Sequence, residues 1–311
     1  MSIPPSIKAL AAPFVERFPC PHELTLDLGG FGVDVRSNDE RLVAWLKDYF
    51  RDFPRRAGQA QCQVLAMECD PQALPVEYSV KQPEPGKTKI KEEWADLPDG
   101  RVVRKRLTGM LFLFGGECNL ALGPCLDNPN QIVNFINNRF IEHKLNQGCL
   151  LGHAAGVSWR GDGLALAGFS GMGKSTLALH MMNLGLNFVS NDRVMLGRAD
   201  GGLTMYGVAK MPRVNPGTVL NNPSLAAVMP EEDRAAFQDL PIKELWSLEH
   251  KYDAFIDECY GPGRFDLEAR AKGLAILNWK RGGGELKVAR VDIDMRRDLL
   301  PAFMKSTGLF Y

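Results

Sequence analysis

Net charge is what the sequence most plainly lacks: 37 basic side chains balance 37 acidic ones over 311 residues. Nothing draws the whole protein onto nucleic acid or an anionic membrane, although a local basic site stays compatible with that balance. No apolar run approaches the roughly 18 residues needed to span a bilayer. No CxxC pair occurs, and the seven cysteines, from Cys20 to Cys259, are scattered and odd in number. That pattern argues against a disulfide framework and against a zinc site, and free thiols in a reducing compartment are expected. There is no internal repeat and no low-complexity tract. The opening segment MSIPPSIKALAAPFVERFPC has prolines and the Glu16–Arg17 pair where a secretory leader needs an unbroken apolar stretch, so a cytoplasmic protein is expected.

What is present is an ordinary globular composition, 45% hydrophobic and 24% charged, in a chain long enough for one large domain or two ordinary ones. Residues 23–35 alternate apolar and polar as a strand does. A helix follows, capped by Ser37 or Asn38, with Leu42, Val43, Trp45, Leu46, Tyr49 and Phe50 at helical spacing. Residues 61–124 read as antiparallel strands separated by turns such as EPG and LPDG. Arg101, Arg104, Lys105 and Arg106 read there as the wet side of a strand rather than a binding patch. A helix from Asp127 or Asn128 to Gly148 carries the stripe Ile132, Phe135, Ile136, Phe140 and Leu145. The expected division is an α+β module over residues 1–126, of unassigned role, and an α/β domain over 127–311 whose core motifs occupy 149–195.

Two apolar segments, CLLGHAAGVSW and GLALAGFS, are joined by RGDG, a turn so short that the strands must be antiparallel. The second runs directly into Gly168, Phe169, Ser170, Gly171, Met172, Gly173, Lys174, Ser175 and Thr176, and then a helix closed by Gly185. This is the pattern of a phosphate-binding loop. Its glycines let successive backbone N–H groups face phosphate oxygens, and the helix N-terminus adds its dipole. Lys174 is placed to reach the β- and γ-phosphates and the Ser175 hydroxyl to ligate Mg²⁺. Downstream, LNFVSND is a short apolar run ending in Ser190, Asn191 and Asp192. An acidic residue there is a Mg²⁺ partner, or else merely the end of a strand. A GTPase would need an N-K-x-D base reader and an ABC ATPase a Leu-Ser-Gly-Gly-type signature; neither occurs.

These residues resemble the catalytic domain of the HPr kinase/phosphorylase family, itself similar to phosphoenolpyruvate carboxykinases. The family loop reads G-x-S-G-x-G-K-S, matched here from Gly168 to Ser175. A family His lies fifteen residues before the first glycine, which is His153 here, and the family's A-D-D-R-V-like ending appears as SNDRV. The resemblance is strong over about 150–195 and weaker to about 280. It implies an HPr kinase-like nucleotide-binding fold using ATP and Mg²⁺. The implied reaction transfers the γ-phosphoryl group to a hydroxyl, either of a small metabolite or of a peptide or protein serine. The implied catalytic set is Asp192, His153, Asn191 and Lys174, with Ser175 and Asp192 on the metal. Read without the resemblance, His153 is as compatible with a packed core histidine. Three features depart from the family. Asn191 stands where its first acidic residue belongs, the L-E-I-R-G-type signature is replaced by KMPRVNPGT, and the N-terminal module is unlike the family's own. The HPr kinase-related kinases of unassigned substrate, the kinase B group above all, are therefore the nearer resemblance. A nucleotide-binding regulator without turnover is the alternative that Asn191 raises.

The acceptor region is less legible. Lys210 and Arg213 flank a proline-bearing turn, and Glu249, His250, Lys251, Asp253 and Arg264 lie among strand-like segments. Arg213, Lys251 and Arg264 are the substrate candidates. VDIDMRRDLLPAFMKSTG is expected to close as a helix. The expected partners are ATP and an unidentified hydroxyl acceptor, with neither nucleic acid nor membrane, and with a homo-oligomer left open.

Overall fold

The computed structural model describes residues 5–53, 59–80, 82, 89–199, 201–248, 250–278 and 284–311. The EPG turn at 84–86 and Glu249 lie outside the described residues. The chain is a mixed α/β protein. It divides into two compact units, residues 1–142 with 307–311, and residues 143–306.

The first unit contains strands β1 (His22–Asp27), β2 (Gly32–Ser37), β3 (Cys62–Glu68), β4 (Ser79–Val80), β5 (Glu92–Leu97), β6 (Gly100–Lys105), β7 (Leu111–Gly115) and β8 (Cys118–Gly123). They form one sheet in the order β1-β2-β3-β8-β7-β6-β5-β4. Its helices are α1 (Ile7–Arg17), α2 (Glu40–Tyr49) and most of α3 (Pro129–Asn146). β3 pairs parallel with both β2 and β8, which corrects the all-antiparallel expectation for 61–124. For β2 and β3 the reason is α2, a crossover that returns the chain in its original direction; β8 reaches β3 only after the chain has passed through β4 to β7. Asp39, not Ser37 or Asn38, caps that helix, its carboxylate accepting from the Arg41 N–H. α3, expected at the head of the second domain, folds with this unit instead: Phe135 packs its ring 5.0 Å from Phe112 and 6.0 Å from Phe114. The division thus falls after Glu142 rather than after residue 126.

In the second unit, β9 (Leu150–Gly152), β10 (Ala154–Trp159), β11 (Asp162–Ala167), β12 (Asn187–Ser190), β13 (Val194–Ala199), β14 (Gly202–Tyr206) and β17 (Glu268–Ile276) form a sheet ordered β12-β10-β11-β17-β14-β13-β9. β15 (Arg213–Val214) and β16 (Tyr252–Asp253) pair separately. The helices are α4 (Lys174–Met182), α5 (Pro216–Leu220), α6 (Glu231–Phe237), α7 (Ile242–Ser247) and α8 (Ile256–Tyr260). β10 and β11 make the expected hairpin, turned by Arg160 (φ 52°) and Gly161 (φ 82°). Both positive φ values match the right-handed twist of the strands. The segment CLLGHAAGVSW is not one strand. It changes partners at His153, β9 pairing with β13 and β10 with β11 and β12.

The hairpin is buried on both faces. Ala154, Ala165 and Ala167 pack with Val189, Val194, Met205 and Phe303 on one side; Ala155, Val157 and Leu166 pack against Ala178 of α4 on the other. That double burial accounts for the unbroken apolar character of these strands. The expected closing helix is reduced to a short 3₁₀ helix, Arg297–Ala302. Pro301 lies inside it and supplies no N–H to continue a helix.

Candidate functional site

Strand register brings the distant motifs together. Ala154 faces Ala167 in the β10–β11 hairpin, so one step further His153 falls beside Gly168, where the glycine-rich loop begins. Gly156 faces Ser190 of β12, which carries Asn191 and Asp192 toward the same end of the hairpin. The fifteen-residue offset seen in the sequence is thus a consequence of a two-residue turn and a regular ladder.

The loop from Gly168 to Gly173 leads into α4, whose N-terminal flank, Gly173, has φ 75°. Gly171 has φ 81° with open space around it, so its glycine serves backbone conformation rather than clearance. Phe169 is exposed, and the Thr176 hydroxyl bonds that of Thr218 in α5 at 2.9 Å. Thr176 therefore works in helix packing. Lys174 is only 8% exposed, and its Nζ donates to the carbonyl oxygens of Gly168 (2.8 Å) and Phe169 (3.3 Å). Burial pushes its pKa down, the Asp192 carboxylate pulls it back up and the Lys305 ammonium lowers it further.

Asp192 is the electrostatic centre. His153 Nε2 lies 3.1 Å from its Oδ1, and Lys305 Nζ lies 2.8 Å from its Oδ2. Arg193 Nε is 3.8 Å from that same Oδ2. Burial raises the carboxyl pKa, but the His153 hydrogen bond and the Lys305 ammonium outweigh it and hold the group well below the usual carboxylate range. Next to it the Oδ1 of Asn191 is buried and accepts no hydrogen bond among the described residues. An unmade bond of that kind costs about 1–3 kcal/mol.

Lys305 was missed by the sequence reading, because nothing local marks a side chain that acts from 113 positions away. Lys210 was noticed but not singled out. Burial lowers its pKa to about 8; Arg193 and Arg213 push the same way, against the carboxylates of Asp192 and Asp253. Arg213 Nε lies 3.4 Å from Asp253 Oδ1, beside the β15–β16 pairing. Lys251 is exposed.

Arg264, the remaining substrate candidate, is placed elsewhere. Its guanidinium donates to the carbonyls of Met182 (3.1 Å) and Leu186 (2.7 Å) and to Asn187 Oδ1 (2.9 Å). It closes the C-terminal end of α4, one helix length of about 13 Å from the loop. We expect Arg264→Ala to lower the stability of this unit by about 2–3 kcal/mol in urea denaturation while leaving nucleotide affinity unchanged. Unaltered stability with lost phosphate transfer would restore the substrate role.

Among the described residues no group of three or more His, Cys, Asp or Glu side chains converges to hold a metal ion. No helix among them is long and apolar enough to cross a membrane. No family model and no curated protein matches the chain. Among solved structures, the Hpr(Ser) kinase/phosphatase from Coxiella burnetii matches at 14% identity and a TM-score of 0.28, over 44% of this chain. The chain spans 65% of that protein's length. A likeness that slight carries no argument about this chain's chemistry.

Proposed function

We propose that this chain is an ATP-dependent phosphotransferase of the HPr kinase-like type, acting on a hydroxyl acceptor. The observation that carries the reading is the His153–Asp192 contact of 3.1 Å at the hairpin end from which the loop emerges. The nine residues Gly168 to Thr176 would hold the phosphates through loop amides, the α4 dipole and Lys174. Ser175 and Asp192 offer a hydroxyl and a carboxylate, the hard oxygen donors that suit Mg²⁺, which keeps most of its remaining positions for water and phosphate oxygens. Bound there, Mg²⁺ would neutralise charge on the transferring group.

In the transfer, the acceptor oxygen forms a bond to the γ-phosphorus as the bond to the β,γ-bridging oxygen breaks. The acceptor's proton must also leave. Asp192 is weakly basic, its carboxyl being held far below its ordinary range. An imidazole that donates from Nε2 has Nδ1 as its acceptor, so His153, oriented by Asp192, suits the proton better. Asn191, whose buried Oδ1 accepts no hydrogen bond among the described residues, would orient the acceptor hydroxyl once its amide turns to meet it. The acceptor is a small hydroxylated metabolite or a serine of a peptide or protein. The HPr kinase-related kinase B group fits this assignment better than enzymes acting on HPr, because the L-E-I-R-G-type signature is missing. Label from γ-³²P ATP appearing in an acceptor, and no label with Asp192→Asn, tests the reading.

Asn191 also supports a second reading, a nucleotide-binding regulator without turnover. An amide neither takes nor gives a proton at working pH. Loss of a general base costs about 10²–10⁴ in rate, which a loose phosphoryl transfer can tolerate. The reverse attack by inorganic phosphate is more demanding, since the departing oxygen must be reprotonated. We therefore expect forward transfer with little or no phosphorolysis. Incubating the phosphorylated product with excess phosphate should release no pyrophosphate. Efficient release overturns this account of Asn191, and absence of forward transfer to every acceptor favours the regulator.

A further inference from the structure

Residues 302–305 are built into the candidate site. Phe303 O accepts from the His153 N–H at 2.6 Å, and Ala302 O accepts from the Gly168 N–H at 3.1 Å. Met304 bridges Gly152, and the Lys305 N–H donates to Leu151 O at 3.3 Å. A side chain at position 152 would collide with the Phe303 ring, since its Cβ would lie 2.4 Å from two ring carbons, so glycine there is what lets the segment lie flat. Ala302 and Phe303 are 1% and 5% exposed. The backbone of Lys305 is thereby fixed against β9, the strand that leads into His153, and its ammonium reaches Asp192 Oδ2 at 2.8 Å.

Two ammonium groups meet one carboxylate at that point. Lys305 lies 2.8 Å from Asp192, and Lys174 feels both the Asp192 carboxylate and the Lys305 ammonium electrostatically. Two cations sharing one carboxylate leave a positive potential that an anion relieves, and the N-terminus of α4, where Lys174 stands, adds to it. The two lysines come from different segments. Lys174 belongs to the loop, its ammonium bonded to loop carbonyls. Lys305 shares the Asp192 carboxylate with His153, beside which the proposed chemistry takes place.

We propose that Lys305 is a second phosphate-contacting lysine, which leaves Asp192 to grip the terminal phosphoryl group of the bound nucleoside triphosphate. This inference rests on the phosphotransferase reading and adds to it a residue contributed by a segment outside the loop and strand motifs. Its consequence is discrimination by phosphate number: Lys305 stabilises a triphosphate and leaves a diphosphate untouched.

Calorimetric titration of the full chain with Mg-ATP and Mg-ADP tests this without needing the acceptor. Lys305→Met keeps the aliphatic stem and removes the charge of a side chain that is 27% exposed. Its affinity for ATP should fall about 10- to 100-fold, the cost of a lost charge-assisted bond, with ADP affinity unchanged. Lys305→Arg should restore the preference for ATP. Equal losses for both nucleotides in Lys305→Met would mark a structural role and overturn the inference. Tighter ATP binding in that variant would make Lys305 a plug rather than a contact, and would overturn it too. A wild-type chain that binds both nucleotides, with Lys305→Met indistinguishable from it, removes this inference alone. A wild-type chain that binds neither removes the phosphotransferase reading, and this inference with it.

Discussion

Lys174→Ala should weaken Mg-ATP binding by about 2–4 kcal/mol, roughly 30- to 1,000-fold, in calorimetric titration. Lys174 is 8% exposed and has already lost most of its water. Its ammonium is held by two carbonyl oxygens of the loop, which compensate only part of that loss. A phosphate oxygen offers a full negative charge in place of those dipoles. Removing the side chain therefore discards a charge-assisted contact made in a partly dry setting, and no neighbouring group can move in to replace it from the loop itself. Unchanged affinity in the variant would end the phosphate-loop assignment.

Asp192→Ala should reduce phosphate transfer by about 10³-fold or more while some nucleotide binding survives. Three effects act together. The carboxylate that would share Mg²⁺ with Ser175 is gone. The partner that orients the His153 ring, 3.1 Å away, is gone as well. The charges of Lys305 and Arg193 lose the anion between them. The first two act on the reacting group, so kcat should fall far more than nucleotide affinity, and the third makes the vacant site more positive and helps retain the triphosphate. Wild-type transfer by the variant would reduce Asp192 to the residue that ends a strand.

Much of this site can be read in the sequence because its key spacings are local. Arg160-Gly161 closes β10 onto β11, and the ladder from that turn fixes which residue stands opposite Gly168. The apolar run of α4 and the glycines around it are equally local signals. What stayed hidden depends on contacts between segments far apart in the chain. Lys305 reaches Asp192 across 113 positions, and Arg264 reaches Leu186 across 78. Neither leaves a periodicity behind, so Arg264 looked like a candidate for acceptor binding and nothing singled out Lys305. The parallel pairing of β3 with β2 was hidden for a related reason: the same alternation suits either direction, and only the path through α2 decides. Helical spacing in the closing segment gave way to Pro301. The placement of α3 was set by Phe112 and Phe114, rings whose partner in Phe135 no spacing reveals.

A crystal structure of the full chain with Mg²⁺ and a non-hydrolysable ATP analogue decides whether the glycine-rich loop is a nucleotide site. The phosphates are expected along Gly168–Thr176, with Lys174 released from the Gly168 and Phe169 carbonyls onto them. The metal is expected between Ser175 and Asp192, and the terminal phosphoryl group facing His153. A nucleotide seated elsewhere, or Lys174 still bonded to the loop carbonyls beneath a bound nucleotide, would contradict the phosphate-loop assignment.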